Sequence, residues 1–150
     1  EVCRRLGRRG VLLVGRAERA GVPASLPAGV RVFTYLPFSW AMPRCAASVH
    51  HGGVGTTAQA LRAGRPQVVV AHAHDQFDNA ARVDRLGVGA RTTARRASAA
   101  GLERALRRVL DDARVAQRAR EVGALIAAEE DGAEAAARAL EGVGRGAEIN

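Results

Sequence analysis

The chain has 150 residues, 47% of them hydrophobic, which suits one globular domain with its own core. It has no apolar run of the ~18 residues that a membrane-crossing helix needs, and EVCRRLGRRG is not followed by the apolar stretch and cleavage site of a secretion signal. The net charge of +8 is the balance of 23 basic residues, all arginine, over 15 acidic ones; the arginines are spread along the chain and aromatics are only 3%, which argues against a nucleic-acid binder despite the charge and leaves a general attraction for anions.

Cys3 and Cys45 lie far apart in no paired motif, as expected of free thiols in a cytoplasmic protein. Position 1 is Glu rather than Met, and the chain is expected to begin partway through a larger protein.

In chain order, a helix-like opening leads to VLLV (Val11–Val14), a short buried-strand signal closed by Gly15. VRVFTY (Val30–Tyr35) alternates as a strand does and runs toward Pro37, where a strand should stop. AASVH (Ala46–His50) is short, apolar and ends at glycines, and QVVVA (Gln67–Ala71) is the strongest strand signal. Helical patterns fill the gaps. Thr56–Ala63 closes at Gly64 with Pro66 beyond, and Asp78–Leu86 closes at Gly87. Leu102, Ala105, Leu106, Val109 and Leu110 follow one apolar helix face behind a cap at Ser98. Asp131 and Glu134 start a last helix through Leu140, and Gly142–Asn150 reads as a frayed tail. The arginines from Arg104 to Arg120 form either a solvated face or a surface for another domain.

This alternation predicts an α/β fold, a Rossmann-like parallel sheet flanked by helices, spanning residues 1–141. In such sheets ligands sit beyond the carboxyl ends of the strands. Three clusters lie there. The first is VHHGGVGTT (Val49–Thr57). Gly52, Gly53 and Gly55 let the backbone approach a ligand, and the helix that follows points its free N–H groups and positive dipole end at the loop. Imidazole and threonine hydroxyls add donors, so the segment reads as a phosphate cradle. The plain alternative is a glycine-rich turn whose histidines cap a strand. Neither GxxxxGK[ST] nor GxGxxG is present.

The second cluster is HAHDQFDN (His72–Asn79). His72 and His74 have the spacing of a metal pair, but Gln76 and Phe77 stand where an HxHxDH motif needs Asp and His. Asp75 and Gln76 together offer an acceptor and a donor to adjacent sugar hydroxyls; the plain alternative is Asp75 as a helix N-cap. The third is TYLPFSW (Thr34–Trp40), which with Phe33 gathers most of the chain's aromatics, for stacking on a planar base or for core packing.

Together, HHGG-x-GTT, AG-x-P-Q, DQ-x-x-NA-x-R and LGVG resemble the C-terminal half of a family 1 glycosyltransferase of the GT-B fold, over about Val11 to Leu110. The flavour is that of the bacterial branch acting on lipids, sterols and natural products, with DQFDNAAR similar to rhamnosyltransferase-like members. The resemblance implies a hexosyltransferase whose C-terminal domain binds a UDP- or dTDP-linked sugar. Transfer to a lipid, sterol or natural-product hydroxyl is then a single inverting displacement with no metal or other cofactor. Residue by residue, His51 matches the diphosphate-binding histidine, and Gly53, Gly55 and Thr56 match the phosphate loop, flanked by Gly52 and Thr57. Asp75 and Gln76 match the pair holding the donor sugar. Tyr35, Leu36 and Phe38 fall at the nucleoside, where Tyr35 replaces a stacking Trp and Phe38 a ribose-contacting Gln. The resemblance places the acceptor site and general base in an N-terminal domain outside this sequence, and the usual first strand is not apparent. The expectations are a monomer that alone binds donor weakly, transfers no sugar, and carries an exposed sheet edge. Other readings are a nucleotide-sugar epimerase-like domain and a non-catalytic nucleotide-sugar-binding relic.

Overall fold

The computed structural model describes residues 1–130 and 132–146. The elements run α1 (Val2–Arg5), β1 (Gly10–Leu13), β2 (Val30–Phe33), α2 (Phe38–Ala41), β3 (Ser48–His50), α3 (Val54–Arg62), β4 (Gln67–Ala71), α4 (Gln76–Arg85), β5 (Gly89–Thr93), α5 (Ala99–Leu110), α6 (Ala113–Ala128) and α7 (Gly132–Gly146). Among the described residues all strand pairings are parallel, as expected.

β4 organises the core. Successive strand side chains point to opposite faces, and both faces of QVVVA are covered. Val69 and Ala71 pack with Ala80 and Val83 of α4 and with Ala119 and Val122 of α6. Val68 packs with Ala90 of β5 and Val109 of α5. Each such valine stabilises the fold by about 1.5–3 kcal/mol relative to an exposed one. The apolar stripe Leu102, Ala105, Leu106, Val109 and Leu110 is the face that α5 turns inward. Ser98 caps that helix by accepting the Gly101 N–H at 3.2 Å.

The sheet is divided where the sequence suggested continuity. β3, β4 and β5 form one three-stranded sheet in that order, and β1 pairs with β2 in a separate two-stranded sheet. Among the described residues β1 has β2 as its only strand partner and β3 has β4, so each leaves an edge open. Val11, Leu12 and Leu13 are all exposed, so β1 is only partly covered on either face as well as open at its edge. The expected exposed edge is therefore present.

Several boundaries differ from the sequence reading. β2 stops at Phe33, which moves Thr34 and Tyr35 into the following loop. α3 begins at Val54, so Thr56 lies inside its first turn. β5, the segment GARTT, has no strong strand signal of its own, and it forms through pairing along the whole length of β4. α7 continues to Gly146, into the stretch expected to fray, while Asp131 and residues 147–150 lie outside the described residues. Arg107, Arg108, Arg114 and Arg118 pair with Glu103, Asp84, Asp112 and Glu121, which suits a solvated charged face. Cys3 and Cys45 are unpaired.

Candidate functional site

The carboxyl ends of β3 and β4 lie side by side because the two strands pair in parallel, His50 opposite Val69. The HHGG loop and the HAHDQ loop are therefore neighbours. β3 ends at His50, and the chain turns through Gly52 with φ of +95°. A Cβ at Gly52 would lie 2.6 Å from Val69 Cγ1, so both the turn and the packing require glycine. Gly53 occupies the N-cap position of α3, with its side-chain face beneath the His51 ring: a Cβ there would meet His51 Nε2 at 2.6 Å. Nothing lies within 4 Å of a Cβ built at Gly55. The loop thus presents a bare backbone, an exposed imidazole and the first N–H groups of a nine-residue helix on one surface.

The expected diphosphate residues fall into two groups. His51, Gly52, Gly53, Gly55 and Thr56 are gathered at this turn, and Thr56 makes no side-chain hydrogen bond among the described residues. Thr57 departs from the expectation. It is buried, and its hydroxyl donates to the Gly53 carbonyl at 3.0 Å, so it braces the loop from inside.

Asp75 and Gln76 also take separate tasks. Asp75 stands at the N-cap position of α4 but makes no side-chain capping bond; its carboxylate accepts from Asn79 Nδ2 at 3.0 Å and is otherwise exposed. Gln76 folds back on its own loop, its Oε1 accepting the N–H groups of His72 at 2.9 Å and Ala73 at 3.2 Å. That ties down a turn in which His74 has φ of +54°. Among the described residues no three His, Cys, Asp or Glu side chains converge as a metal site.

Asn79 is the residue that the sequence reading passed over. Its Nδ2 donates to the Gly52 carbonyl at 2.9 Å as well as to Asp75, joining the two loops through one amide. The signal was its position four residues after Asp75 on a helix, where side chains meet.

The third cluster lines a cleft of about 450 Å³. Leu13, Val14 and Gly15 form one wall, residues 34–39 another, and Gln59 of α3 reaches in from the cradle side. Tyr35 is 76% exposed, so the core-packing reading fails for it, while Leu36 and Phe38 are half-buried at the same cleft. Trp40 lies outside it, with the Arg44 guanidinium 4.7 Å from its ring centre. Gln59 was also missed; it sits one helical turn beyond Thr56 on the helix that the cradle starts.

Electrostatically the best-defined group is His50. Burial holds its imidazole below the usual histidine range, a bond to Gln67 opposes that shift, and the neighbouring His51 charge adds to it.

The fold and these loops define the C-terminal domain of a GT-B glycosyltransferase. The chain belongs to the family described as "Erythromycin biosynthesis protein CIII-like, C-terminal domain", which matches residues 10–141. Among curated relatives, O-mycaminosyltylonolide 6-deoxyallosyltransferase of Streptomyces fradiae is 44% identical over 123 residues, covering 81% of this chain and 28% of the relative. The sterol 3-beta-glucosyltransferase of Komagataella phaffii is 37% identical over 123 residues, 82% of this chain and 10% of the relative. Among solved structures, the spinosyn rhamnosyltransferase SpnG superposes with a TM-score of 0.81 at 28% identity, over 90% of this chain and 36% of that one. Glycosyltransferase VinC in complex with dTDP superposes with a TM-score of 0.73 at 29% identity, over 81% of this chain and 30% of that one. The chain thus spans less than a third of the length of these curated relatives.

Proposed function

We propose that this chain binds the donor of a glycosyl transfer, a nucleoside-diphosphate hexose carrying UDP or dTDP. The observation that carries the reading is the alignment of two features along α3. The bare turn at Gly52–Gly55 sits at its N-terminus, and the Tyr35–Phe38 cleft opens beside Gln59 further along it. An anion at the turn with a planar base in the cleft is the arrangement that a nucleoside diphosphate fills.

In the proposed reaction an acceptor hydroxyl, deprotonated by a general base, attacks the anomeric carbon. The bond to the diphosphate oxygen breaks, and the pair of electrons leaves with the diphosphate. Charge grows on that leaving group in the transition state. The N–H groups of the first turn of α3, the Thr56 hydroxyl and the His51 imidazole surround the place where it grows, and donors fixed in advance are what stabilises such charge. Asp75, with one carboxylate oxygen bound to Asn79, faces solvent beside the turn and is assigned to the sugar hydroxyls. Gln76 is assigned there through its Nε2, since its Oε1 is engaged.

Calorimetric titration of the chain with UDP, dTDP and their sugar conjugates, beside His51→Ala, tests the reading. Binding that weakens about tenfold or more in His51→Ala supports it, since a charge-assisted hydrogen bond is being removed. A folded chain that binds none of these ligands refutes it. Binding without any transfer when an acceptor domain is supplied would favour a non-catalytic nucleotide-sugar module.

A further inference from the structure

His50 precedes the cradle turn, and both of its ring nitrogens are engaged within the protein. Its ring lies between two partners of opposite kind. The Gly52 N–H points at Nδ1 from 3.1 Å, and an N–H can only donate, so Nδ1 carries no proton. In the neutral ring the proton then sits on Nε2, 2.9 Å from Gln67 Oε1, which accepts it. Gln67 lies in β4, is 0% exposed, and its own Nε2 has no hydrogen-bond partner among the described residues. Its carbonyl oxygen is therefore the part of the amide in use, and its use is to select one tautomer of His50.

Gly52 is gripped from both sides. Its N–H is held by His50, and its carbonyl by Asn79. The peptide that follows is planar and trans, so the Gly53 N–H points opposite to that carbonyl, away from α4. Among the described residues it donates to no acceptor. Two bonds to Gly52 thus aim the next N–H.

We infer that His50, fixed as the Nε2–H tautomer by Gln67, is a positioning residue: it holds the peptide before Gly52 while Asn79 holds the one after it, and so fixes the Gly52 turn and aims the Gly53 N–H at the donor diphosphate. The last step of this inference rests on the donor reading above; the tautomer and the lock do not.

Two substitutions separate the tasks of the ring. In His50→Asn the amide oxygen replaces Nδ1 and keeps an acceptor for Gly52, whereas in His50→Gln the longer amide reaches toward Gln67 and leaves the Gly52 N–H without one. Three readouts are taken on the full chain: imidazole nitrogen NMR of the wild type, hydrogen exchange at the Gly52 amide, and dTDP calorimetry. The expected results are an Nε2–H ring in the wild type, a Gly52 amide protected in wild type and His50→Asn but not in His50→Gln, and dTDP bound about tenfold more tightly by His50→Asn than by His50→Gln. An Nδ1–H or charged ring at neutral pH, or equal Gly52 protection in the two variants, overturns the lock. Equal dTDP affinity in the variants despite unequal protection overturns its link to the diphosphate. If the wild type binds no dTDP, the donor reading fails, and the exchange and tautomer measurements still decide the lock. If neither variant folds, the wild-type tautomer decides it.

Discussion

The side-chain amide of Asn79 donates to the backbone carbonyl of Gly52 across 2.9 Å and 27 positions of sequence, and with the same nitrogen reaches Asp75 at 3.0 Å. One helix residue therefore sets the distance between the Gly52 turn and the Asp75 carboxylate. Asn79→Ala should destabilise the chain by about 1–2 kcal/mol, the range for a part-buried carbonyl left without its donor. Asn79→Asp should cost more, because it sets a second carboxylate against both the carbonyl and Asp75. Urea denaturation of the two variants beside wild type gives the order; an Asp variant as stable as Ala would contradict it.

Two glycines of the cradle should respond in opposite directions. Gly52→Ala combines a positive φ with a Cβ placed 2.6 Å from Val69 Cγ1, and should lose about 2 kcal/mol or more. Gly55 lies in the first turn of α3 with open space around it, so Gly55→Ala should gain about 0.5–1 kcal/mol from helix propensity. If the turn holds a diphosphate, the same methyl group should weaken dTDP binding. A variant that melts higher and binds worse is the expected result, from thermal melts and calorimetry on one preparation.

Acid should loosen the cradle through His50. Its folded-state pKa is lowered from 6.5, chiefly by burial, so the unfolded chain takes up the proton first as pH falls. The stability tied to the neutral ring is fully present above 6.5 and is lost as pH drops from there through the lower folded value. Denaturation midpoints measured at about pH 7.5 and about pH 5.5 should differ more for wild type than for His50→Asn, which carries no such proton. Identical differences in the two proteins would remove His50 from the account.

Tyr35→Ala should leave the melting temperature nearly unchanged, because the ring is 76% exposed and contributes little burial. Nucleotide affinity should fall by about 0.5–1.5 kcal/mol if the ring stacks on the base. A large loss of stability with unchanged affinity would return Tyr35 to a packing role.

The parts of this molecule that were legible in sequence are those fixed by local pattern. QVVVA reads as a buried strand because it is apolar on both faces, and it is found at Gln67–Ala71. Ser98 was legible as a cap because the residue type and the apolar stripe after it specify the same helix start. GARTT was not legible, since its strand state comes from β4 rather than from its own side chains. The inward turn of Thr57 was hidden for a similar reason: α3 starts two residues earlier than its pattern suggests, so Thr57 lies one turn inside the helix, where its hydroxyl meets the Gly53 carbonyl. The bonds from His50 to Gln67 and from Asn79 to Gly52 join segments 17 and 27 residues apart, and no spacing rule within one element points to them.

The division of the sheet gives the molecule two units of unequal strength, one around β3–β4–β5 between covering helices, the other the more thinly covered pair β1–β2. The cradle belongs to the first, and the cleft shares its walls between them, with Leu13 and Val14 on one side and Gln59 on the other. A nucleotide lying along α3 would therefore act as a splint across the joint. The weaker pair should melt ahead of the rest when the chain is empty, and the two transitions should merge into one when dTDP is bound, so that occupancy is read in the sharpness of unfolding as well as in its temperature.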